Sequence, residues 1–179
     1  MRIAKNLHSL DPVYIDTETT GFGTTDVVIE IAVVDTNGDT LLDTLVKSSK
    51  SIPAGASAVH GINDIHLLGA PQWKEIWPQL GQVLAGRVVG FFNAEFDLRM
   101  IRQTCGLNGI RWEQPHQEQF CIMELFASYY GDWNPQRSSY KWKSLDFAGK
   151  HFKLPEPNSH RAKEDAYLTK LVFEALANG

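Results

Sequence analysis

A chain of 179 residues with 43% hydrophobic side chains fits one domain and carries enough apolar mass to bury a core. Its balance of 21 acidic to 17 basic residues argues against a protein that coats nucleic acid by charge alone. No uninterrupted apolar run between Met1 and Glu30 suits a signal peptide or a membrane span, and Cys105 and Cys121 make neither a disulfide framework nor a CxxC pair, so a cytoplasmic protein with free thiols is expected.

Val13 to Asp16 is short, apolar and β-branched and runs toward Thr19-Thr20-Gly21, the pattern of a buried strand ending in a turn. Val27 to Asp35 and Thr40 to Val46 are two further strand-like runs, and Asn37-Gly38 between them is a hairpin signal. Three antiparallel neighbours should therefore open the chain, followed by a polar loop. From Ala70 to Ala85, Trp73, Ile76, Trp77, Leu80 and Leu84 recur at helical spacing, with Pro78 expected to kink or restart the helix and Gly86 to close it. Arg87 to Phe92 reads as a strand, and Asn93 as the N-cap of a helix carrying Phe96, Met100 and Ile101. Phe120 to Tyr130 fits strand or helix, while Ser144 to His151 and Arg161 to Ala177 read as helices. With no repeat and no dividing linker, these elements are the material of one layered α/β domain.

The basic residues are unevenly placed. Between Asn134 and Lys163, Arg137, Lys141, Lys143, Lys150, Lys153, Arg161 and Lys163 face only Asp146 and Glu156, with Tyr140, Trp142, Phe147 and Phe152 interleaved. That mixture suits phosphate contact plus base stacking, and equally the solvated basic face of an amphipathic helix.

Asp16 and Glu18 stand two apart near a strand end, and a strand sends such residues to one face. Two neighbouring carboxylates repel unless a cation sits between them, and a hard divalent ion with oxygen ligands is the natural candidate; a solvated turn would also accommodate them. Asp97 lies near the start of its helix, where a negative charge complements the helix dipole in any case. His160 and Asp165 bracket the start of the last helix. Residues five apart lie about 140° apart around a helix, so Asp165 can be held rigidly while His160 stays free at the helix mouth.

Taken in order, Asp16-Thr17-Glu18-Thr19-Thr20-Gly21, Val59-His60-Gly61-Ile62, Asn93-Ala94-Glu95-Phe96-Asp97 and His160-Arg161-Ala162 through Asp165-Ala166 resemble the motifs of the DEDDh, or DnaQ-like, 3′-to-5′ exonuclease family, which includes the proofreading epsilon subunit and ribonuclease T. The resemblance spans Val13 to Leu176. It implies a ribonuclease-H-like α/β fold, with a mixed five-stranded sheet of three antiparallel strands then parallel strands, flanked by helices, in a single exonuclease domain over residues 1–179. It implies that Asp16, Glu18, Asp97 and Asp165 are catalytic and hold two divalent cations, Mg²⁺ or Mn²⁺, in a two-metal hydrolysis that releases nucleoside 5′-monophosphates. His160 would be the catalytic base, and Thr19, Thr20, His60, Ile62, Asn93 and Phe96 would bind substrate. The expected partner is nucleic acid with a 3′ end, single-stranded DNA or RNA, the choice resting on contacts to the sugar 2′ position.

The chain departs from the family pattern at Phe91-Phe92, where Ala-His is common, and at Cys121-Ile122, where Asp-Thr is common. Neither position is a ligand in the family, so local packing and substrate contacts are what these departures touch. Two other readings stand beside the free nuclease: a proofreading or accessory subunit of a DNA polymerase, and a catalytically silent nucleic-acid-binding module. The lack of a long tail after the last helix favours the free-standing enzyme, with a polymerase or homodimer partner left open.

Overall fold

The computed structural model describes residues 2–179. In chain order it contains α1 (Arg2–His8), β1 (Val13–Thr19), β2 (Val28–Val34), β3 (Thr40–Leu45), α2 (Ala54–His60), α3 (Trp73–Leu84) and β4 (Val88–Phe91), and then α4 (Ala94–Leu107), β5 (Glu118–Cys121), α5 (Ile122–Tyr130), β6 (Trp133–Asn134), β7 (Ser139–Tyr140), α6 (Leu145–His151) and α7 (Ala162–Asn178).

The apolar runs make the sheet. Its order is β3-β2-β1-β4-β5, with β1, β2 and β3 antiparallel neighbours and β4 and β5 parallel to β1. This is the mixed five-stranded arrangement, three antiparallel strands then parallel ones, that the resemblance implies. The turn from β2 to β3 is where Asn37-Gly38 predicts it: Gly38 takes φ 89°, and the Asp35 carboxylate accepts from the N–H groups of Asn37 and Asp39, both at 2.9 Å.

Alternation along β1 sorts the two faces. Val13 and Ile15 pack with Trp73, Ile76 and Leu80 of α3 and Met100 and Ile101 of α4. Tyr14 points the other way, into a core with Phe126 of α5 and Val172 and Phe173 of α7. By the same period Thr17 belongs to the α4 side, and Asp16 and Glu18 to the α7 side. The sheet therefore offers its carboxylates to one helix layer while a second layer stands behind.

Several local expectations are corrected. Pro78 does not restart α3, which is continuous from Trp73 to Leu84; Pro78 is exposed, so the carbonyl it cannot pair faces water while Trp73, Ile76, Leu80 and Leu84 anchor the opposite face. The polar loop after β3 contains α2, a run of small residues ended by Gly61 in the left-handed region, φ 72°, whose N–H bonds the Ser57 carbonyl. The ambiguous stretch around Phe120 is both things in turn, β5 and then α5. Helix α1 carries only Ala4 as a buried residue, too weak a pattern to read in advance. The aromatic and basic stretch after Asn134 is no amphipathic helix over most of its length: a separate hairpin, β6–β7, precedes the short α6. Among the described residues no helix is long and apolar enough to cross a membrane.

Candidate active site

Three elements bring acidic side chains to one cleft of about 790 Å³, lined by Asp16 and Glu18 of β1, Asp97 of α4, and His160 and Asp165 at the start of α7. Their delivery follows from the layering. Helix α7 packs on the face to which Asp16 and Glu18 point, and Asp165 sits in its first turn. Asp97 arrives from the opposite layer, where Thr17 Oγ1 donates to its Oδ1 at 2.8 Å. A single strand thus addresses both layers, its odd residue steering one aspartate while its even residues supply two more carboxylates.

Asp97 and Asp165 are each only 4% exposed, and burial of so many carboxylates is costly without compensating charge. Burial and the proximity of Asp97, Glu18 and Asp165 push the Asp16 carboxyl well above its ordinary range. Burial, then Asp165, Glu30 and Asp97, raise Glu18 to about 8, with Arg161 pulling the other way. Burial raises Asp97 to about 7 against the opposing Thr17 hydrogen bond, and raises Asp165 to about 6. Such a cluster lacks positive charge. Hard oxygen donors with crowded negative charge fit a divalent cation, and one ligand atom each from Glu18, His160 and Asp165 lie within 4.8 Å of one another.

His160 is held by its backbone rather than by its ring. It takes φ 54°, a strained value for a residue with a side chain, and its N–H donates to Asn158 Oδ1 at 3.2 Å. The preceding N–H, of Ser159, donates to Asp165 Oδ1 at 2.9 Å. The loop is thereby pinned to the carboxylate it serves while the exposed imidazole stays free.

Among the remaining expected site residues, Thr19, Thr20, His60, Asn93 and Phe96 line the cleft. Asn93 stands at the N-cap position of α4 without a side-chain cap bond, so its amide is free to face the cleft. His60 accepts from the Ile62 N–H at Nδ1, 3.0 Å, which places its proton on Nε2, a buried atom that makes no well-formed hydrogen bond, its nearest influence being the Thr19 backbone. Burial lowers the His60 pKa, so this ring is neutral. Ile62 is not brought to the cleft: at 2% exposure it packs with Ile29 and Leu67, because its place after the Gly61 turn directs it inward.

Three contributors escape the motif reading. Glu30, 3% exposed, stands opposite Glu18 in the β1–β2 register and receives Arg161 and the Ala162 N–H. Asp26 organises the loop after β1, accepting from Thr20 Oγ1 (2.9 Å), from the Gly23 N–H (2.7 Å) and from Lys50. Phe22, 81% exposed on that loop, meets the Phe96 ring at 5.6 Å between centroids, at the lip of the cleft. An aromatic flanked by glycines in a polar loop is a signal that could have been read.

An exonuclease family model, RNase_T, matches residues 13–173, which include every residue of this cluster. The chain belongs to this exonuclease family. Over 175 residues it is 38% identical to "Uncharacterized exonuclease CP81" of Escherichia phage 186, covering 94% of this chain and 89% of that protein. It is also 36% identical over 116 residues to a DNA polymerase III subunit epsilon-like protein of Rhodobacter capsulatus, which is 61% of this chain but only 16% of that longer protein. Among solved structures, Exonuclease X in complex with 5′-overhanging duplex DNA superposes with a TM-score of 0.70 at 25% identity, covering 93% of this chain and 90% of that one. At the two positions where the sequence reads as departing from the family pattern, Phe91 is core, and Cys121 Sγ donates to the Phe92 carbonyl at 3.4 Å.

Proposed function

We propose that this exonuclease works from the 3′ end of DNA or RNA, hydrolysing one phosphodiester bond at a time and releasing nucleoside 5′-monophosphates. The observation that carries the reading is the convergence of four carboxylates from two helix layers and one strand on a cleft that also holds an exposed imidazole. The direction draws support from Exonuclease X, whose complex contains a duplex with a 5′ overhang and so a recessed 3′ end.

Asp16, Glu18, Asp97 and Asp165 would hold two divalent cations, Mg²⁺ or Mn²⁺. Such ions, when bound, lower the pKa of a water and neutralise charge on phosphate and leaving oxygens. His160, exposed at the mouth of α7, takes the proton of the attacking water on its imidazole and returns it to solvent. Phe22 and Phe96 offer aromatic surface to the terminal base, and the buried Nε2–H of neutral His60 is a donor for the terminal nucleotide.

End-labelled single-stranded and duplex DNA and RNA incubated in Mn²⁺ test the proposal. A ladder shrinking from the 3′ end, silenced by EDTA and absent in Asp165→Asn, is expected; cleavage that persists at wild-type rate in either condition ends it. The epsilon-like relative supports a second reading, service beside a DNA polymerase, and co-elution with a polymerase in gel filtration would distinguish it.

A further inference from the structure

Beyond Tyr130 the chain leaves the layered fold. Gly131, at φ 77°, turns it out of α5, and the β6–β7 hairpin pairs only with itself, Trp133 opposite Tyr140 and Asn134 opposite Ser139. The chain returns at Ser144, whose Oγ caps α6 by accepting from the Phe147 N–H at 3.1 Å. The base of the excursion is the rim of the cleft: Lys143, Ser144 and Leu145 line it.

The hairpin exposes what a small soluble protein usually hides. Trp133 is 50% and Trp142 59% exposed, and Trp133 meets Tyr140 edge to face at 5.1 Å. Cations alternate with these rings. Lys141 and Lys143 both reach Asp132, at 3.0 and 2.7 Å, and Lys143 Nζ also lies over the Tyr130 ring at 5.1 Å. Arg137, at the turn, adds a third cation against that one carboxylate. Flat aromatic faces interleaved with cations match one chemistry closely: unstacked bases joined by phosphates. A duplex keeps its base faces stacked and offers such rings nothing comparable.

We propose that the hairpin from Trp133 to Lys143 is a binding track for the single-stranded stretch of substrate that leaves the cleft on the 5′ side of the terminal nucleotide, with Trp133 and Trp142 stacking on bases and Arg137 and Lys141 meeting phosphates. The proposal rests on the nuclease reading of the cleft, which accommodates a terminal nucleotide and leaves the rest of the strand to cross a rim. The rim at Lys143 is continuous with the exposed rings.

The test compares Trp133→Ala and Trp142→Ala with the wild type on a dinucleotide and on a single strand of about 12 nucleotides. The expected result is a KM for the longer strand raised roughly tenfold by each substitution, with its kcat and the dinucleotide rate unchanged. Unaltered KM on the longer strand overturns the track in favour of a hairpin that faces another protein, and an equal loss on the dinucleotide overturns it by placing the tryptophans in the cleft. Should the wild type hydrolyse neither substrate, the nuclease reading fails, and the track is judged by binding alone. Tryptophan fluorescence should then be quenched by oligo(dT) or oligo(U) in Ca²⁺ and much less so by a blunt duplex, with the quench lost in a Trp133→Phe, Trp142→Phe double variant. No quench, or equal quench by the duplex, overturns the single-strand track.

Discussion

Glu30 and Arg161 form a two-pronged ion pair at the mouth of α7, Arg161 Nε lying 3.1 Å from each carboxylate oxygen, while Glu30 Oε2 also accepts from the Ala162 N–H at 2.9 Å. Glu30 stands directly across from Glu18, and like charges facing each other across two strands repel. Arg161 offsets that repulsion and, being next to His160 in sequence, anchors the strained turn that carries the imidazole. Glu30→Ala leaves the buried Ala162 N–H unpaired, a loss of about 1–3 kcal/mol, which for a chain of this size lowers Tm by roughly 2–4 °C per kcal/mol. Turnover should fall about 10- to 100-fold, as when a supporting residue behind a metal site is removed. Thermal melts and single-turnover rates measure both; a lowered Tm with wild-type turnover would confine the pair to stability.

The acidic cluster makes the cation-free protein sensitive to rising pH. Glu18, Asp97 and Asp165 are held up to about 8, about 7 and about 6, whereas carboxyls of an unfolded chain titrate near ~4. A carboxyl whose pKa is raised on folding binds its proton more tightly in the folded state. Its contribution is fully present below the unfolded pKa and is lost as pH rises through the folded value. In EDTA, Tm should therefore fall steadily between about pH 5 and pH 8.5. Glu18→Gln removes one of the crowded charges, so at the alkaline end it should melt higher than the wild type while losing hydrolysis. A flat Tm across that range would show that the cluster stays ionised without strain.

The same pKa values predict proton release on cation binding. Ligands that hold protons at neutrality must give them up to a metal. Calorimetric titration of Mn²⁺ into the protein at about pH 7, repeated in two buffers of different ionisation enthalpy, should give different apparent enthalpies. Affinity should weaken as pH falls toward 6, through the range in which Asp97 and Glu18 are protonated. Buffer-independent heats would mean that the carboxylates are already charged.

Much of this site is legible in the sequence because its parts obey local rules. Val28–Val34 is buried at every position, so its apolar run signals a strand without ambiguity, and the period of two along β1 puts Asp16 and Glu18 together. Other parts depend on distant partners. Glu30 lies inside that apolar run, and a lone carboxylate there announces only that something must neutralise it; Arg161, 131 residues away, is visible in the fold alone. Asn93 looks like a cap, yet its side chain makes no cap bond, since the N–H groups of a helix start can be met in several ways. Ile62 belongs to a family motif and still points into the core, because a motif fixes backbone path more tightly than it fixes which side chain faces the ligand. The hairpin after Trp133 is short and paired only with itself, so its composition was readable and its shape was not.

Thr17 supplies a prediction about Asp97 that leaves the carboxylate itself in place. Its hydroxyl donates to Asp97 Oδ1 at 2.8 Å and opposes the rise that burial imposes on that group. Thr17→Val keeps the volume and removes the donor. The Asp97 pKa should climb further, and Mn²⁺ activation at neutral pH should require about 10- to 100-fold more cation, with the deficit shrinking as pH is raised. A deficit independent of pH would mean that Thr17 orients Asp97 without altering its charge.

The loop after β1 is built around a close approach that only glycine allows. At Gly21, φ 153°, an added Cβ would come within 2.7 Å of Asp26 Oδ2. That carboxylate is not free to move: it accepts from the Gly23 N–H at 2.7 Å, its other oxygen accepts from Thr20 Oγ1 at 2.9 Å, and Lys50 closes on it from outside. Gly21→Ala must therefore push the loop away from Asp26, displacing Thr20 and the Phe22 ring from the lip of the cleft while β1, and with it Asp16 and Glu18, stays paired to β2 and β4. Substrate grip should suffer more than chemistry. The expected signature is a KM raised by about tenfold, the scale of one lost base–aromatic stacking contact, with kcat within a few-fold of wild type and Mn²⁺ affinity unchanged. A collapse of kcat at saturating substrate would instead mean that the loop holds the carboxylates themselves, and that Asp26 acts on them through β1.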